Sequence, residues 1–168
     1  MSELIEVGQL MPDGAFGVMT AEGPGAITTD ELFSGKRVAL FSVPGAFTTT
    51  CSMKHLPGYI NGAEQLHAIG IDTIACTAVN DLFVMDAWGK STDAGSSILM
   101  LADGNGDYVR SLGLESDSRR WGMGFRGQRF SMIVADNTVE ALNIETGGEF
   151  KVSSCEYMLE QLQRRRTG

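Results

Sequence analysis

Two near-continuous apolar runs dominate the hydrophobic pattern of the chain. Residues 37–43 and 71–79 each read as a strand that is covered on both faces. The 48–69 segment between them is long enough for a helix, although Pro57-Gly58 should kink that helix or separate its first turns. Its helical spacing is carried by Leu56, Ile60, Ala63 and Leu66. The three segments predict a strand, helix, strand unit.

The alternation of helix and strand continues in the second half of the chain. Residues 81–90 predict a helix with Phe83, Ala87 and Trp88 on one side, and residues 98–101 predict a short strand before a turn at 103–106. The pattern is therefore that of an α/β protein rather than a helical bundle or an all-β sandwich.

Hairpins and a terminal helix complete the pattern. Residues 15–19 and 25–28 predict an N-terminal hairpin, and residues 129–144 predict another with its turn at Asp136-Asn137. Ser153-x-x-Glu156 reads as a capping box in front of a last helix. We expect a single domain over residues 1–168, with a mixed central β-sheet, helices on both faces and an N-terminal β-hairpin.

Composition and charge exclude several classes of partner. The 168 residues include 13 Lys and Arg against 21 Asp and Glu, a formal charge of −8 that disfavours nucleic acid and anionic membranes. The basic cluster Arg164-Arg165-Arg166 reads as a solvated helix end. A cytoplasmic protein is expected, since the acidic first residues lack a secretory signal and no apolar run is long enough to span a membrane. Three cysteines, an odd number, argue for reduced thiols rather than a disulfide framework.

Cys51 is the main candidate for chemistry. It lies where the first buried strand ends and the helix begins, the edge at which open α/β sheets place ligands. A helix N-terminus stabilises the thiolate, which is the nucleophilic form of cysteine. The hydroxyls of Thr48 and Thr50 could hydrogen-bond the sulfur or an oxygen substrate, and Pro44 could shield the pocket from water. The alternative is a buried cysteine that acts as a small hydrophobe.

The same segment carries a family resemblance. The run Pro44-Gly45-Ala46-Phe47-Thr48-Thr49-Thr50-Cys51, with the motif P-x-x-x-T-x-x-C, and Lys54-His55-Leu56-Pro57-Gly58 after it resemble the active-site segment of peroxiredoxins. Within that family, the segment resembles the subfamily that contains the plant type II and mammalian atypical two-cysteine enzymes. The likeness continues in order through residues 79–81, 83, 88, 101–103, 126–132 and 141–143. It implies a thioredoxin-like fold.

The resemblance also implies roles for four residues. Cys51 matches the peroxidatic cysteine, Thr48 the hydroxyl that orients the peroxide, Pro44 the residue that covers the site and Arg126 the guanidinium that completes the pocket. A guanidinium can both hold the thiolate and stabilise the charge that moves onto the departing oxygen. The implied activity is a thiol peroxidase that reduces hydrogen peroxide and alkyl hydroperoxides through a sulfenic acid at Cys51.

The resemblance leaves the return of Cys51 to the thiol open. Cys76 resembles the second cysteine of the plant enzymes, and a disulfide with Cys51 would require the first turn of the helix to unwind. Cys155 falls three residues past the mammalian resolving position, where either a helix-terminal thiol of some reactivity or a partly buried structural residue fits. Both are candidate resolving cysteines. The simplest scheme instead uses glutathione, a glutaredoxin or a thioredoxin as reductant.

One position departs from the family pattern. Thr49 stands where the family usually has proline, and we expect only a modest effect on loop rigidity or rate.

Other motifs are set aside on context. The G-x-G-x-x-G run at residues 122–127 precedes a strand rather than opening a helix, and the calcium-like start at Asp103 lacks the glycine and glutamate that such a loop needs. His55 is read as a packed or surface histidine, because neither a metal site nor a Cys-His hydrolase finds further members. No cofactor and no metal are expected.

Two other functions remain alternatives to the peroxidase. One is a redox-sensing or chaperone-like interaction protein in which Cys51 reacts without turnover, and the other is a noncatalytic binding module. Because relatives are commonly homodimers, a homodimer is expected here, with apolar residues near the Cys51 loop and Trp88 in contact with the second copy.

Overall fold

A seven-stranded mixed sheet forms the centre of the protein. The computed structural model describes residues 3–50, 54–94 and 96–167. The sheet strands are β1 Ala15–Thr20, β2 Gly23–Thr28, β3 Arg37–Ser42, β4 Thr73–Ala78, β5 Leu99–Ala102, β8 Phe130–Ala135 and β9 Thr138–Ile144. Their order in the sheet is β2-β1-β5-β4-β3-β8-β9; β3, β4 and β5 are parallel, and the others join antiparallel. The predicted mixed sheet and N-terminal hairpin are confirmed.

Helices cover both faces of this sheet, as predicted. The helices are α1 Thr29–Phe33, α2 Leu56–Ala68, α3 Leu82–Ser91, α4 Asp107–Ser111 and α5 Cys155–Thr167. Helices α2, α3 and α5 pack on one face of the sheet, and the short helices α1 and α4 pack on the other. A separate two-stranded sheet of β6 Glu115–Asp117 and β7 Phe125–Gly127 lies between α4 and β8 in the chain. None of the helices in the described part of the chain is long and apolar enough to cross a membrane.

Strand β3 shows why the first apolar run is nearly continuous. Its side chains alternate between the two cores, with Phe41 facing α2 and α5 and Leu40 facing the opposite layer. Both side chains are completely buried, so neither face of the strand can be polar.

The segment between β3 and β4 contains the predicted helix in distinct parts. Thr49 and Thr50 are helical, Lys54 and His55 form a π-helical turn, and the regular α-helix begins at Leu56. Pro57 lies in the first turn of that helix, where its missing N–H leaves no hydrogen bond unmade. The change of helix type before Pro57 agrees with the predicted separation of the first turns.

Two local predictions are wrong. On α3 the buried side chains are Met85 and Trp88, whereas Phe83 is 61% exposed and Ala87 is also exposed, because both face away from the sheet. The predicted capping box of α5 is also wrong. Ser154 caps the helix by accepting a hydrogen bond from the N–H of Tyr157 at 3.2 Å, while the hydroxyl of Ser153 donates to Glu145.

Short elements were not predicted. Helix α1 begins at a capping box in which the Thr28 hydroxyl accepts from the N–H of Glu31 at 3.1 Å and the Glu31 carboxylate accepts from the N–H of Thr28 at 3.2 Å. The predicted turn at 103–106 is present, and Asp103 there accepts hydrogen bonds from the first residues of α4, including the Val109 N–H at 2.8 Å. This role accounts for the Asp103 carboxylate without a bound cation.

Candidate active site

The loop that follows β3 lies at the carboxyl ends of two parallel strands. The N–H of Ala46 donates to Asn80 Oδ1 at 2.9 Å, and Asn80 lies just past the end of β4. Phe47 has a φ of 65°, a left-handed conformation that is uncommon for a residue with a side chain. The Thr48 hydroxyl then donates to the carbonyl of Gly45 at 2.8 Å. These contacts fold the loop back on itself, so that Thr48 returns to the Pro44-Gly45 backbone.

Arg126 reaches the same backbone from β7. Its Nε donates to the carbonyl of Met123 at 2.8 Å, and its Nη1 donates to the carbonyl of Pro44 at 3.4 Å. A β-carbon placed at Gly45 would lie only 3.1 Å from this Nη1 and 3.3 Å from the methyl group of Thr48. The structure therefore brings Pro44, Thr48 and Arg126 together, and it adds Gly45 as the residue that permits their close approach.

Cys51 lies outside the described residues, so its predicted position and role stay predictions. The structure does describe the residues that lead to it. Thr48 is the last non-helical residue, and Thr49 and Thr50 are helical. Thr49 is exposed at the first helical position, a position that also suits proline. Threonine can therefore replace the family's proline there without loss of a buried contact.

A second arginine lies next to the end of β3, and the sequence assigned it no role. Arg129 immediately precedes β8, whose first residue Phe130 pairs with Ser42 at the end of β3. Its Nη1 lies 2.8 Å from Nδ1 of His55. The spacing Arg126-x-x-Arg129 is visible in the sequence, but it does not show which guanidinium faces the loop.

His55 is buried completely and makes a contact through each ring nitrogen. Nδ1 faces Arg129, and Nε2 lies 3.0 Å from the carbonyl oxygen of Ser153. Because arginine can only donate and a carbonyl can only accept, Nδ1 is the acceptor and Nε2 carries the proton. Burial, and secondly the charge of Arg129, lower the pKa of His55 to about 3, with the Ser153 contact opposing. His55 is therefore neutral and is neither a surface residue nor a proton donor to the loop.

Aromatic rings hold His55 in place. Phe41 stacks on Tyr59 with ring centroids 4.0 Å apart, and the His55 ring contacts Phe41 at 4.8 Å and Phe150 at 4.9 Å. The Tyr59 hydroxyl donates to the same Ser153 carbonyl at 2.9 Å. Side chains from β3, α2 and the segment before α5 thus form one rigid cluster beneath the start of α2.

The two described cysteines are both buried. Cys76 is completely buried on β4 in the core that packs against α2 and α5. Cys155 is 3% exposed at the start of α5, and burial together with the neighbouring Glu156 raises the pKa of its thiol to about 12. Burial and a raised thiol pKa fit a structural residue at Cys155 better than a reactive thiol at a helix end. Neither residue's role as a resolving cysteine is tested by these observations.

The predicted contact residue of a homodimer needs correction. Trp88 is completely buried, because it points from α3 into the core, and it offers no surface to a second copy. Phe47 in the loop is 55% exposed, and Phe83 on α3 is 61% exposed. The Phe47 ring lies 6.5 Å from the Trp88 ring, so Phe47 covers part of the surface under which Trp88 is buried.

Comparisons with known proteins identify the family. The sequence model of the Redoxin family matches residues 6–159. Peroxiredoxin-2B of Arabidopsis thaliana is 45% identical over 159 residues, which cover 94% of this chain and 98% of the relative. Reduced Prx3 of Vibrio vulnificus in complex with hydrogen peroxide superimposes with a TM-score of 0.91 at 48% identity, covering 95% of this chain and 99% of that one. Oxidised Prx3 superimposes with a TM-score of 0.87. The chain therefore belongs to the Redoxin family.

Within that family the chain is a peroxiredoxin, and the plant type II group fits it. The relatives match almost the whole chain, so the likeness is not confined to the loop around residues 44–50. The family and the thioredoxin-like fold predicted from the sequence are confirmed, and so is the classification of the protein as a thiol-dependent peroxidase.

Proposed function

We propose that Cys51 is the peroxidatic residue and that it reduces hydrogen peroxide and small alkyl hydroperoxides. The Cys51 thiolate attacks one oxygen of the peroxide, so that an S–O bond forms and the O–O bond breaks. The departing oxygen takes up a proton and leaves as water or an alcohol, while Cys51 becomes a sulfenic acid. The peroxide gains two electrons, and both come from the sulfur.

The observation that carries this proposal is the convergence of Thr48 and Arg126 on the backbone of residues 44–45. The Thr48 hydroxyl and the Arg126 guanidinium both reach that backbone, at 2.8 Å from the Gly45 carbonyl and 3.4 Å from the Pro44 carbonyl. A hydroxyl can both donate and accept, which suits it to orient a peroxide, and a fixed cation favours the charge that develops on the leaving oxygen. Pro44 covers this part of the site.

Arg129 is proposed as a second cation of the site. It lies where β8 meets the end of β3, and its guanidinium is held by His55. Two guanidiniums next to the loop would favour a thiolate over a thiol at Cys51 more strongly than one. Replacement of either arginine by glutamine should slow the reaction with hydrogen peroxide on the order of 100-fold, the usual effect of removing one fixed donor. Arg119→Gln is the control, because Arg119 is exposed and pairs with Asp117.

The reductant is proposed to be an external thiol, either glutathione, a glutaredoxin or a thioredoxin. One thiol condenses with the sulfenic acid to give a mixed disulfide and water, and a second thiol releases Cys51 and leaves as a disulfide. The burial of Cys76 and Cys155 supports this proposal, since a thiol enclosed in the core is less accessible to an oxidised cysteine than a thiol in solution. Side-by-side assays with the three reductants identify the one that sustains the fastest turnover.

A homodimer is also proposed, with the exposed rings of Phe47 and Phe83 in the interface. Phe47→Ser should shift the protein towards the monomer in sedimentation experiments, whereas Leu10→Ser, which changes an exposed residue that pairs with Thr138 on β9, should not. The cytoplasmic location stays a prediction.

A turnover experiment separates the peroxidase from the redox sensor. Substoichiometric protein is mixed with hydrogen peroxide and glutathione or glutaredoxin, and peroxide loss is followed. A catalyst consumes many equivalents, whereas a sensor stops near one equivalent per chain. The matched pair Thr48→Val and Thr49→Val tests the assignment of the hydroxyl: the first should slow turnover strongly, and the second, at an exposed neighbour, should not. Equal activity in both would refute the role of Thr48.

A further inference from the structure

We propose that His55 is a positioning residue for Arg129, and that the segment between β9 and α5 acts through His55 to fix that guanidinium. The inference rests on the role proposed above for Arg129. It assigns a function to a buried histidine that the sequence indicated only as a packing or surface residue, and it links the C-terminal part of the chain to the site.

The first link is made by Glu145. Its carboxylate accepts hydrogen bonds from the N–H of Lys151 at 2.6 Å and from the N–H of Ser153 at 2.8 Å, and it also binds the Ser153 hydroxyl. Burial alone would raise the pKa of Glu145, but these hydrogen bonds outweigh it and lower the pKa, so the carboxylate is charged near neutral pH. Charged acceptors form the stronger class of hydrogen bond, and three such bonds fix the backbone from Lys151 to Ser153, which leads directly to the Ser153 carbonyl.

The second link passes through the His55 ring. The Ser153 carbonyl accepts the proton of Nε2, which leaves Nδ1 as an acceptor for Arg129. A protonated ring would place an N–H against the N–H of a guanidinium, so the contact exists only with neutral histidine in this one tautomer. The carbonyl of Ser153 thus selects the form of His55 that can bind Arg129.

The third link is rigidity. An arginine side chain loses rotamer entropy when it is fixed, and hydrogen bonds to its nitrogens orient the planar guanidinium. The acceptor for Arg129 is an aromatic ring packed between Phe41 and Phe150 in the core, so it cannot follow the arginine if the arginine moves. This arrangement suits a group that must meet a thiolate in a defined orientation.

A pair of amide substitutions separates the two contacts of His55. In His55→Asn the side-chain oxygen falls near the position of Nδ1, so the acceptor for Arg129 is retained. In His55→Gln the amide nitrogen falls near the position of Nε2, so the donor to Ser153 is retained and the acceptor is lost. Tyr59→Phe is the matched control, since it removes the other donor to the Ser153 carbonyl without touching Arg129.

Two readouts are needed: the rate constant with hydrogen peroxide and the pKa of the Cys51 thiol from the pH dependence of its alkylation. For His55→Gln we expect a rate lower by up to about 100-fold, the effect of a misplaced catalytic group, and a raised thiol pKa. His55→Asn should retain most of the rate and of the low thiol pKa. Tyr59→Phe should change neither, although it lowers stability. Glu145→Gln should reproduce part of the His55→Gln effect.

The outcomes that overturn the inference are distinct from those that overturn the proposed function. His55→Gln with a wild-type rate and thiol pKa overturns the positioning role, and so does an equal loss in Tyr59→Phe and His55→Gln, which would indicate packing alone. If His55→Gln does not fold, His55→Phe, which keeps the ring and lacks the acceptor, is judged by the same criteria. Arg129→Gln, measured in parallel, tests the role of Arg129 itself: a wild-type rate there refutes the proposed function of Arg129.

Discussion

The contact between α2 and α5 provides a stability test that is independent of the chemistry. A β-carbon added at Gly62 would lie 2.5 Å from Sγ of Cys155, far inside the normal separation of carbon and sulfur. Cys155 is 3% exposed and packs in the core, so its sulfur has little room to move away. On the same helix, a β-carbon at Gly58 would have no neighbour within 4 Å. The two glycines therefore differ sharply in packing, and also in position, since Gly58 lies in the first turn of α2 and Gly62 in its interior.

The expected magnitudes follow from two opposing effects. Alanine is better than glycine inside a helix by about 0.5–1 kcal/mol, so Gly58→Ala should stabilise the protein by roughly that amount. Overpacking a filled core is unfavourable by about 1–3 kcal/mol, so Gly62→Ala should destabilise it by a net ~1–2 kcal/mol. In a Cys155→Ala background the sulfur is gone, and Gly62→Ala should become neutral or stabilising, which gives a coupling energy of about 1–3 kcal/mol between the two positions.

Urea unfolding followed by circular dichroism measures all of these variants, and equal m values are required for the comparison. Peroxide turnover should be unchanged in Gly58→Ala, which serves as the functional control. Two results would refute the reasoning: Gly62→Ala as stable as Gly58→Ala, or a loss in Gly62→Ala that Cys155→Ala does not relieve.

Three further predictions concern the thiols and the pH dependence of stability. Cys51→Ser should abolish peroxide turnover, while Cys76→Ser or Cys155→Ser alone should leave it intact. Intact-mass analysis after oxidation checks the reductant: a loss of about two hydrogens in the wild type that disappears in Cys76→Ser would indicate an internal disulfide and contradict an external reductant. Burial lowers the pKa of His55 from 6.5 to about 3, so between these values the unfolded chain binds a proton that the folded chain does not. Stability should therefore fall by up to about 1.4 kcal/mol per pH unit as the pH decreases from 6.5, and urea titrations should show a smaller slope for His55→Asn. Glu145 has a folded pKa below 4.5, so its contribution is present above that pH and is lost on acidification, and unfolding curves of Glu145→Gln should lack that loss.

The elements that could be predicted are those in which the hydrophobic pattern of the sequence directly reflects how the element packs in the fold. Strands β3 and β4 are apolar on both faces because each face packs against a helical layer, and this is the pattern in the sequence. Helix α1 has only five residues, too few for a helical period to emerge. Its capping box at Thr28 and Glu31 was the available signal, but the same signal at Ser153 and Glu156 was misleading.

The error at Ser153 has a tertiary cause. Two adjacent serines can both cap a helix, and local sequence does not distinguish them. Glu145, the residue directly after β9, determines which serine caps α5. Its carboxylate accepts hydrogen bonds from the Ser153 hydroxyl and N–H, so the cap is left to Ser154. The buried side of α3 is likewise determined by packing against the sheet. Phe83 and Trp88 are both apolar in the sequence, but only Trp88 faces the sheet and is buried.

The same reasoning applies to the site. Pro44 and Thr48 belong to one short loop, so their proximity follows from a local turn that the sequence already indicates. The arginines come from a distant part of the chain and lie three residues apart, and the pairing of β8 with β3 brings Arg129 next to the end of β3. Sequence spacing could therefore identify the pair but not separate their contacts with Pro44 and with His55.

His55 shows why core packing and site chemistry cannot be assigned separately in this fold. A phenylalanine at this position could stack on Phe41 and Phe150 without burying two ring nitrogens. A buried polar ring is tolerated only if both nitrogens are satisfied, and here one partner is a carbonyl set by Glu145 while the other is the guanidinium of Arg129. Stability alone gives no reason to keep this residue polar. The proposed orientation of Arg129 does, because Nδ1 of the ring accepts a hydrogen bond from that guanidinium at 2.8 Å.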